Sequence, residues 1–266
     1  MKIKTFLLLL CSPLLAPKIN AAVPAALMFH NKPVDALCFF NFEGKEIDLE
    51  RCGLAKTKYG VKGHNSNLMA KGYIGYDWQD PEDPGPAEGY SYYKFFSAGK
   101  NLYWVYTINS GGGTGEFTTL YQVKRKNTTT LEAEMLIGGD RCNGGIQNVS
   151  LENHHLIFSQ NLTAFDFIAL SKTSAPQLKA YDDLAACAIC CVAEAYYELN
   201  SDAKLQLNYV DLGTVNDIKE MPEQGALQPC FNQLLVAYAA GGKRKLKQNM
   251  LDEFAAKFMN TCKKPD

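Results

Sequence analysis

Residues Tyr181–Leu199 read YDDLAACAICCVAEAYYEL and carry three of the nine cysteines in this 266-residue chain. At 100° per residue, Cys187, Cys190 and Cys191 fall within an arc of roughly 100° on a helical wheel. Alanine, leucine and glutamate favour a helix here, and Pro176 suits its first turn. We therefore expect a helix that starts near Pro176 and uses its three sulfurs to staple the fold.

The pair Cys187 and Cys190 also has the CxxC spacing of a redox centre. Such a pair normally opens a helix, where the helix dipole lowers the thiol pKa. Here the pair would lie inside a helix and after Asp182 and Asp183, whose charges would raise the thiol pKa. We therefore expect structural cysteines.

Residues 1–21 have the pattern of a bacterial-style secretion signal. Lys2 and Lys4 precede the short apolar run FLLLLCSPLLAP, and Ala21 ends an acceptable small-residue cleavage site. No later stretch is long and apolar enough to span a bilayer. The sequence therefore predicts a secreted or periplasmic protein without a membrane span.

Removal of this leader would leave an even number of cysteines, which indicates a disulfide framework in an exported protein. The remaining residues are Cys38, Cys52, Cys142, Cys187, Cys190, Cys191, Cys230 and Cys262. We expect Cys38 to bond to Cys52 across a short turn. We also expect Cys230 and Cys262 to bond to the 181–199 helix, and Cys142 to take its third cysteine.

The charge of the exported chain is mildly acidic. Without the leader, 24 basic side chains face 28 acidic ones. This balance argues against non-specific nucleic-acid binding. No motif points to a cofactor.

The composition divides the exported chain at about residue 172. Residues 22–172 contain short alternating apolar segments separated by glycine and proline turns, which is typical of β-hairpins. Residues 173–266 contain the 181–199 stretch, a less regular span at 200–225 that could hold one strand at Leu205–Leu212, and two further helical patterns, at about 229–240 and 245–262. The predicted fold class is α+β: an antiparallel β-meander, as a sandwich or barrel, followed by a disulfide-stapled three-helix part packed on it as one compact unit.

Consecutive pairing of the strands would bring three unusual loops to one end of the sheet. These are the loop at 79–89, the tip SGGGTG at 110–115 and GGDRCNGG at 138–145. Alternating strand directions place all three on the same side. A ligand site is therefore expected at this glycine-rich end.

The residues around these loops suggest two kinds of chemistry. Glu116 and Asp140 could act as a carboxylate pair in hydrolysis of a glycan or peptide. Alternatively, the loop end could bind a ligand without catalysis, or its glycines could serve only as turn residues. The candidate ligand-binding residues are Trp78, Tyr90, Tyr92, Glu116, Asp140 and Arg141.

Two weaker ion sites are suggested by charge clusters. An acidic loop could hold calcium, although its spacing fits no EF-hand and a solvated loop is the alternative. Its residues are Asp77, Asp80, Glu82, Asp83 and Glu88. The basic residues Lys243, Arg244 and Lys245 at the start of the third helical pattern could bind an anion or form a solvated face.

The sequence therefore favours a secreted or periplasmic protein that binds a protein or glycan ligand through its glycine-rich end. An inhibitor or a host-directed factor would fit this class. The alternatives are a secreted hydrolase that uses Glu116 and Asp140, and a structural protein of the cell envelope.

Overall fold

The structure is a computed structural model that describes residues 22–40, 42–82, 88–172, 183–213 and 225–262. The expected leader at 1–21 and the expected helix start near Pro176 lie outside these residues. Within them the chain forms two large antiparallel sheets, one short hairpin and four α-helices.

The strands follow one another closely along the chain. They are β1 (Met28–Phe29), β2 (Lys32–Pro33), β3 (Glu46–Asp48), β4 (Gly60–Gly63), β5 (Ile74–Gln79), β6 (Glu88–Gly99), β7 (Leu102–Ser110), β8 (Phe117–Arg125), β9 (Thr130–Asp140), β10 (Ile146–Glu152), β11 (His155–Leu162), β12 (Ala193–Leu199), β13 (Leu205–Asp211) and β14 (Lys245–Leu246). The helices are α1 (Ser66–Ala70), α2 (Ala164–Ala169), α3 (Gln228–Ala240) and α4 (Gln248–Thr261).

The first large sheet is a curled half-barrel of seven strands in the order β3-β9-β8-β7-β6-β5-β4. From β4 to β9 each strand pairs with the next along the chain, so the predicted antiparallel meander is confirmed. Only β3 reaches its place by crossing to the far edge. Alternation decides the two faces: Trp104 and Tyr106 lie on one face, and Val105 lies on the other.

The second large sheet has five strands in the order β10-β11-β12-β13-β14. Strands β10 and β11 come from before residue 172, and the other three come from residues 193–246. The strand predicted at Leu205–Leu212 is confirmed as β13. The expectation that the rest of residues 173–266 is helical is wrong, since β12 and β14 also lie in this part.

The expected helix at 181–199 is also wrong. Its described residues form turns up to Val192 and then β12, a central strand paired with both β11 and β13. Ala195, Tyr197 and Leu199 are buried, whereas the residues between them are half-exposed, which is the period of two of a strand. Burial of this alternating face outweighs the helix propensity of its alanines and glutamates.

Two other expected elements differ from the structure. Residues Ala164–Ala169 lie in the part expected to consist of β-hairpins, but they form α2, because Thr163 and Asp166 make a capping box at its start. The last helix begins at Gln248, since Lys245 and Leu246 pair with β13 as a short edge strand. The helix expected at 229–240 is confirmed as α3.

Two apolar cores lie on the opposite faces of the seven-stranded sheet. The larger core joins that sheet to the five-stranded sheet and to α2, α3 and α4. The smaller core lies under the chain segment 23–52, which covers the other face with Leu27, Val34 and Phe39. Residues from both sides of position 172 share the larger core.

Four disulfides join the eight expected cysteines in pairs. The predicted bond between Cys38 and Cys52 and the predicted link from Cys142 to the 187–191 segment, here to Cys191, are confirmed. The expectation that Cys230 and Cys262 bond to that segment is wrong. They bond to each other and clamp α3 to the end of α4. A set of four disulfides is typical of proteins that fold in an oxidising compartment.

No helix in the described ranges has the length and the apolar character that crossing a bilayer requires.

Candidate binding face at the loop end

Strand register brings the three unusual loops to the same end of the seven-stranded sheet. Gln79 pairs with Glu88, Asn109 pairs with Phe117, and Phe117 pairs in turn with Asp140. The chain segments that follow Gln79, Asn109 and Asp140 therefore leave the sheet side by side. The predicted common end is present, although residues 83–87 of the first loop lie outside the described residues.

A hydrogen-bond chain ties the sequence-predicted polar residues together at this end. The Tyr90 hydroxyl donates to Glu116 Oε2 at 2.6 Å, and the Glu116 amide donates to Asp140 Oδ1 at 2.8 Å. The Arg141 amide donates to the Glu116 carbonyl at 3.2 Å. Both carboxylates therefore already accept hydrogen bonds from protein groups that position the loops.

The electrostatics of Tyr90 support this structural role. Burial raises the pKa of Tyr90, and the hydrogen bond to Glu116 raises that pKa further. The phenol therefore keeps its proton at neutral pH and remains a donor to the carboxylate.

The turn that follows β9 is tightly folded around Arg141. Arg141 has a φ of 42°, in the left-handed region, and its carbonyl accepts a bond from the Gly145 amide at 2.8 Å. Gly139 leaves no room beside this turn, because a Cβ atom there would lie 2.0 Å from the Asn143 carbonyl oxygen. The glycines of this loop are therefore needed for packing of the backbone against itself.

We predict that Gly139→Ala destabilises the protein by about 1–3 kcal/mol or more, because the backbone of the turn must move to accept the methyl group. Gly113→Ala is the matched control at the same end, since a Cβ there meets nothing within 4 Å. It should leave stability unchanged or raise it by less than about 1 kcal/mol. Urea unfolding measures both, and equal midpoints would contradict the steric argument.

A third segment, residues 187–191, is fixed against this turn. Cys142 bonds to Cys191, and the Cys142 amide donates to the Ala188 carbonyl at 3.3 Å. Cys187 and Cys190 close their own short loop. Ile189 at the tip of this loop is 65% exposed, which is high for a large apolar side chain.

A second exposed apolar side chain lies on the neighbouring strand. Phe117 is 45% exposed. A Cβ atom at Gly115 would lie 2.8 Å from the Phe117 ring and 3.7 Å from Asp140 Oδ2, so the ring and the carboxylate flank the same glycine. We use the name loop-end face for residues Glu116, Phe117, Asp140, Arg141, Ala188 and Ile189.

The predicted aromatic contacts are not at this surface. Trp78 is 2% exposed, stacks on Tyr59 with ring centroids 4.4 Å apart and donates to Ser91 Oγ. Tyr92 is 1% exposed, and its hydroxyl donates to Asp77. Burial raises the pKa of Tyr92 to about 12. Only Tyr90 is half-exposed, so the exposed apolar area comes from Phe117 and Ile189, which the sequence did not single out.

The carboxylates proposed for calcium have other partners. Asp77 accepts from Tyr92, Asp80 pairs with Lys58, and Glu88 pairs with Lys62. Glu82 is exposed, and Asp83 lies outside the described residues. In the part of the chain that is described, no three acidic, histidine or cysteine side chains come together as a metal site.

The pair of Asp80 with Lys58 gives a pH-dependent prediction. The hydrogen bond from Lys58 lowers the pKa of Asp80 below its ordinary value. Its stabilisation is therefore complete above the unfolded-state pKa, which is about 4, and is lost as the pH falls through the lower folded-state pKa. Asp80→Asn should lower the melting temperature at pH 7 but not in strong acid. Thermal melts from pH 2 to pH 7 measure this, with Glu82→Gln as control, and an equal deficit at every pH would contradict it.

The three basic residues expected to bind an anion point to different neighbours. Lys243 lies 3.9 Å from Glu253, and Arg244 lies 3.9 Å from Asp211. The Lys245 ammonium lies over the Tyr209 ring, 4.5 Å from its centroid. They also precede the first residue of α4, so they do not converge on its N-terminus.

A large cavity lies elsewhere, beside the hairpin formed by β1 and β2. Its volume is about 1250 Å³, and its walls are mainly apolar. Val34, Leu49, Met69 and Ile74 line it. It is formed where segment 23–52 lies across the edge of the seven-stranded sheet, so only the tertiary structure could reveal it.

Comparison of the chain with protein-family models, with curated proteins and with solved structures gives no match.

Proposed function

We propose that this chain is an exported binding protein that contacts a partner protein through the loop-end face. The observation that carries the proposal is the pair of exposed apolar side chains, Phe117 at the start of β8 and Ile189 in the 187–191 loop, which flank the turn that contains Arg141. An inhibitor or a host-directed factor would use such a face. Export rests on the leader pattern and on the four disulfides.

The composition of the face supports a protein partner. Protein interfaces combine apolar anchors with arginine at their centre and a polar rim. Phe117 and Ile189 would provide the anchors, and the Arg141 side chain, which is 36% exposed, provides the cation. Asp140 and Glu116 would contribute polar contacts at the rim.

The rigidity of the face supports the same conclusion. The bond from Cys142 to Cys191 and the backbone hydrogen bonds of Arg141 and Cys142 hold three chain segments together before any partner arrives. A surface that is already ordered loses less conformational entropy when it binds. The fixed geometry of these loops therefore lowers the entropic cost of binding a partner.

The geometry supports hydrolysis less well. A general acid and a general base must be free to exchange protons with a substrate. Glu116 accepts from Tyr90, and Asp140 accepts from the Glu116 amide. Each carboxylate therefore has one oxygen engaged in holding the loops, and binding is the function we propose.

Site-specific photo-crosslinking tests the proposal. In one variant a photoreactive amino acid replaces Ile189. In the control it replaces Leu205, which lies on β13 and is 40% exposed. The protein is then irradiated in its native compartment. We expect a discrete protein adduct from position 189 that Arg141→Glu abolishes, and no such adduct from position 205.

Equal adducts from both positions, or none from position 189, would contradict the proposal and favour a purely structural role in the envelope. Hydrolysis of glycan or peptide substrates that Glu116→Gln abolishes without a change in melting temperature would favour the hydrolase.

A further inference from the structure

Two adjoining cavities flank the β1–β2 hairpin, and we call them together the hairpin cleft. The larger one, of about 1250 Å³, and a smaller one, of about 720 Å³, share Phe29, His30 and Glu50 as lining residues. Small-molecule sites usually measure about 300–1,000 Å³. The hairpin cleft is therefore large enough for an elongated ligand that passes the hairpin.

The larger cavity offers an apolar surface to such a ligand. Val34 and Leu49 form its buried wall, and Ile74 is half-buried. Met69 of α1 is 45% exposed at its opening. Leaving apolar walls in contact with water is unfavourable, so an apolar ligand chain would be stabilised here.

The smaller cavity contains an arginine without a counter-ion. The Nη2 atom of Arg125 donates to the Met28 carbonyl, whereas its Nη1 atom is buried and has no acceptor in the described part of the chain. No carboxylate lies within ion-pair distance of Arg125 among those residues. Burial also lowers the pKa of Arg125, which reflects the cost of holding an uncompensated charge there.

The other ionisable side chains around the hairpin cleft are of both signs. Lys32 and Lys56 line the larger cavity, together with the imidazole rings of His30 and His64. The carboxylates that line it are Glu50, which is exposed, and Asp35, whose oxygens already accept hydrogen bonds.

Asp35 makes no ion pair with Arg125 in the described part of the chain, and its oxygens accept hydrogen bonds from neutral donors. Oδ1 accepts from the Leu37 amide and from the Tyr76 hydroxyl, and Oδ2 accepts from the Leu54 amide at 2.8 Å. Around the hairpin cleft, three cations (Lys32, Lys56 and Arg125) therefore face two carboxylates (Asp35 and Glu50), which leaves an excess of one positive charge.

We propose that the hairpin cleft binds a small amphipathic anion, a single-chain carboxylate whose apolar chain occupies the larger cavity and whose headgroup lies at Arg125. The carboxylate pairs with the charge of the half-buried Arg125 side chain, which lines the smaller cavity, and the apolar chain covers the walls around Met69. This site is separate from the loop-end face, so it does not depend on the function proposed for that face.

The test compares ligands that differ only in the headgroup. Binding of dodecanoate and dodecan-1-ol is measured by calorimetry on the disulfide-bonded protein, with acetate to test the headgroup alone. A charge-assisted contact should make dodecanoate bind about tenfold more tightly than the alcohol, and acetate should not bind measurably. Equal affinities of the acid and the alcohol would overturn the role of Arg125.

Variants assign the two ends of the ligand. Arg125→Gln should remove the preference for the carboxylate, and Arg125→Lys should retain part of it. Lys126→Gln is the matched control, since the neighbouring Lys126 pairs with Glu46. Met69→Asp should abolish binding of both long-chain ligands, whereas Met135→Asp, at a residue 66% exposed on β9, should leave it unchanged.

Thermal melts without ligand verify that each variant folds. Unchanged dodecanoate binding by folded Arg125→Gln and Met69→Asp would overturn the proposal, and loss of binding in both control variants would show a non-specific detergent effect and overturn it as well.

Discussion

Phe231→Ala is expected to lower the free energy of unfolding by about 3–5 kcal/mol, because it opens a cavity in the core. Phe231 is 0% exposed, and its ring lies 5.6 Å from Phe167, 5.5 Å from Phe254 and 5.8 Å from Phe258 between centroids. These rings join α2, α3 and α4. The lost stability therefore combines the hydrophobic burial of the removed ring with the loss of its contacts to the other two helices. The melting temperature should fall by on the order of 10 °C.

Phe117→Ala provides the same chemical change at the surface. Phe117 is 45% exposed, so its removal should change stability by less than about 1 kcal/mol. Urea unfolding of the two variants side by side measures the difference. If both variants lost the same stability, the packing of Phe231 against the three other phenylalanine rings would not be the origin of the effect. At the loop-end face, however, Phe117→Ala should weaken partner binding.

The second large effect is expected from the bond between Cys142 and Cys191, which spans 49 residues of sequence. In the chain-entropy account, a loop of this size stabilises the folded state by about 4 kcal/mol through restriction of the unfolded chain. The double variant Cys142→Ala/Cys191→Ala should lose this amount. It should also release residues 187–191 from the turn after β9.

The bond between Cys187 and Cys190 is the internal comparison, because its two cysteines are separated by only three positions in the sequence. The same account gives it about 2 kcal/mol. Non-reducing urea titrations of both double variants measure the ratio. A larger loss for the Cys187→Ala/Cys190→Ala pair would show that native contacts, and not chain entropy, determine the contribution of these bonds.

Much of the seven-stranded sheet could be predicted from the sequence because its strands are long, alternate cleanly and follow one another through short turns. The segment 102–109 became β7 with Trp104 and Tyr106 on one face, as a period of two requires. Consecutive pairing then placed the loops at one end without any tertiary information.

The 181–199 stretch could not be predicted in this way because its local preferences and its environment disagree. Alanine and glutamate favour a helix locally, whereas Ala195, Tyr197 and Leu199 also fit one face of a strand. The choice depends on β11 and β13, which supply partners on both sides. Neither partner can be recognised from the stretch alone.

The candidate site shows the same limit of local information. Sequence placed Glu116, Asp140 and Arg141 at one end because strand direction is a property of the chain order. It could not show that Trp78 is buried against the Tyr59 ring, or that Arg125 lacks an ion-pair partner in the described part of the chain. Both facts depend on which distant segment covers each face of the sheet.

The outer strands of the two large sheets have a consequence for self-association. The seven-stranded sheet is bordered by β3 and β4, with three and four residues, and the five-stranded sheet by β14, with two residues. The remaining border, β10, has a register shift between Gln147 and Ser150 that interrupts its row of hydrogen-bonding groups. Each of these outer strands therefore offers a second copy only a few consecutive backbone bonds. Edge-to-edge growth into fibrils should be slow even when the protein is concentrated.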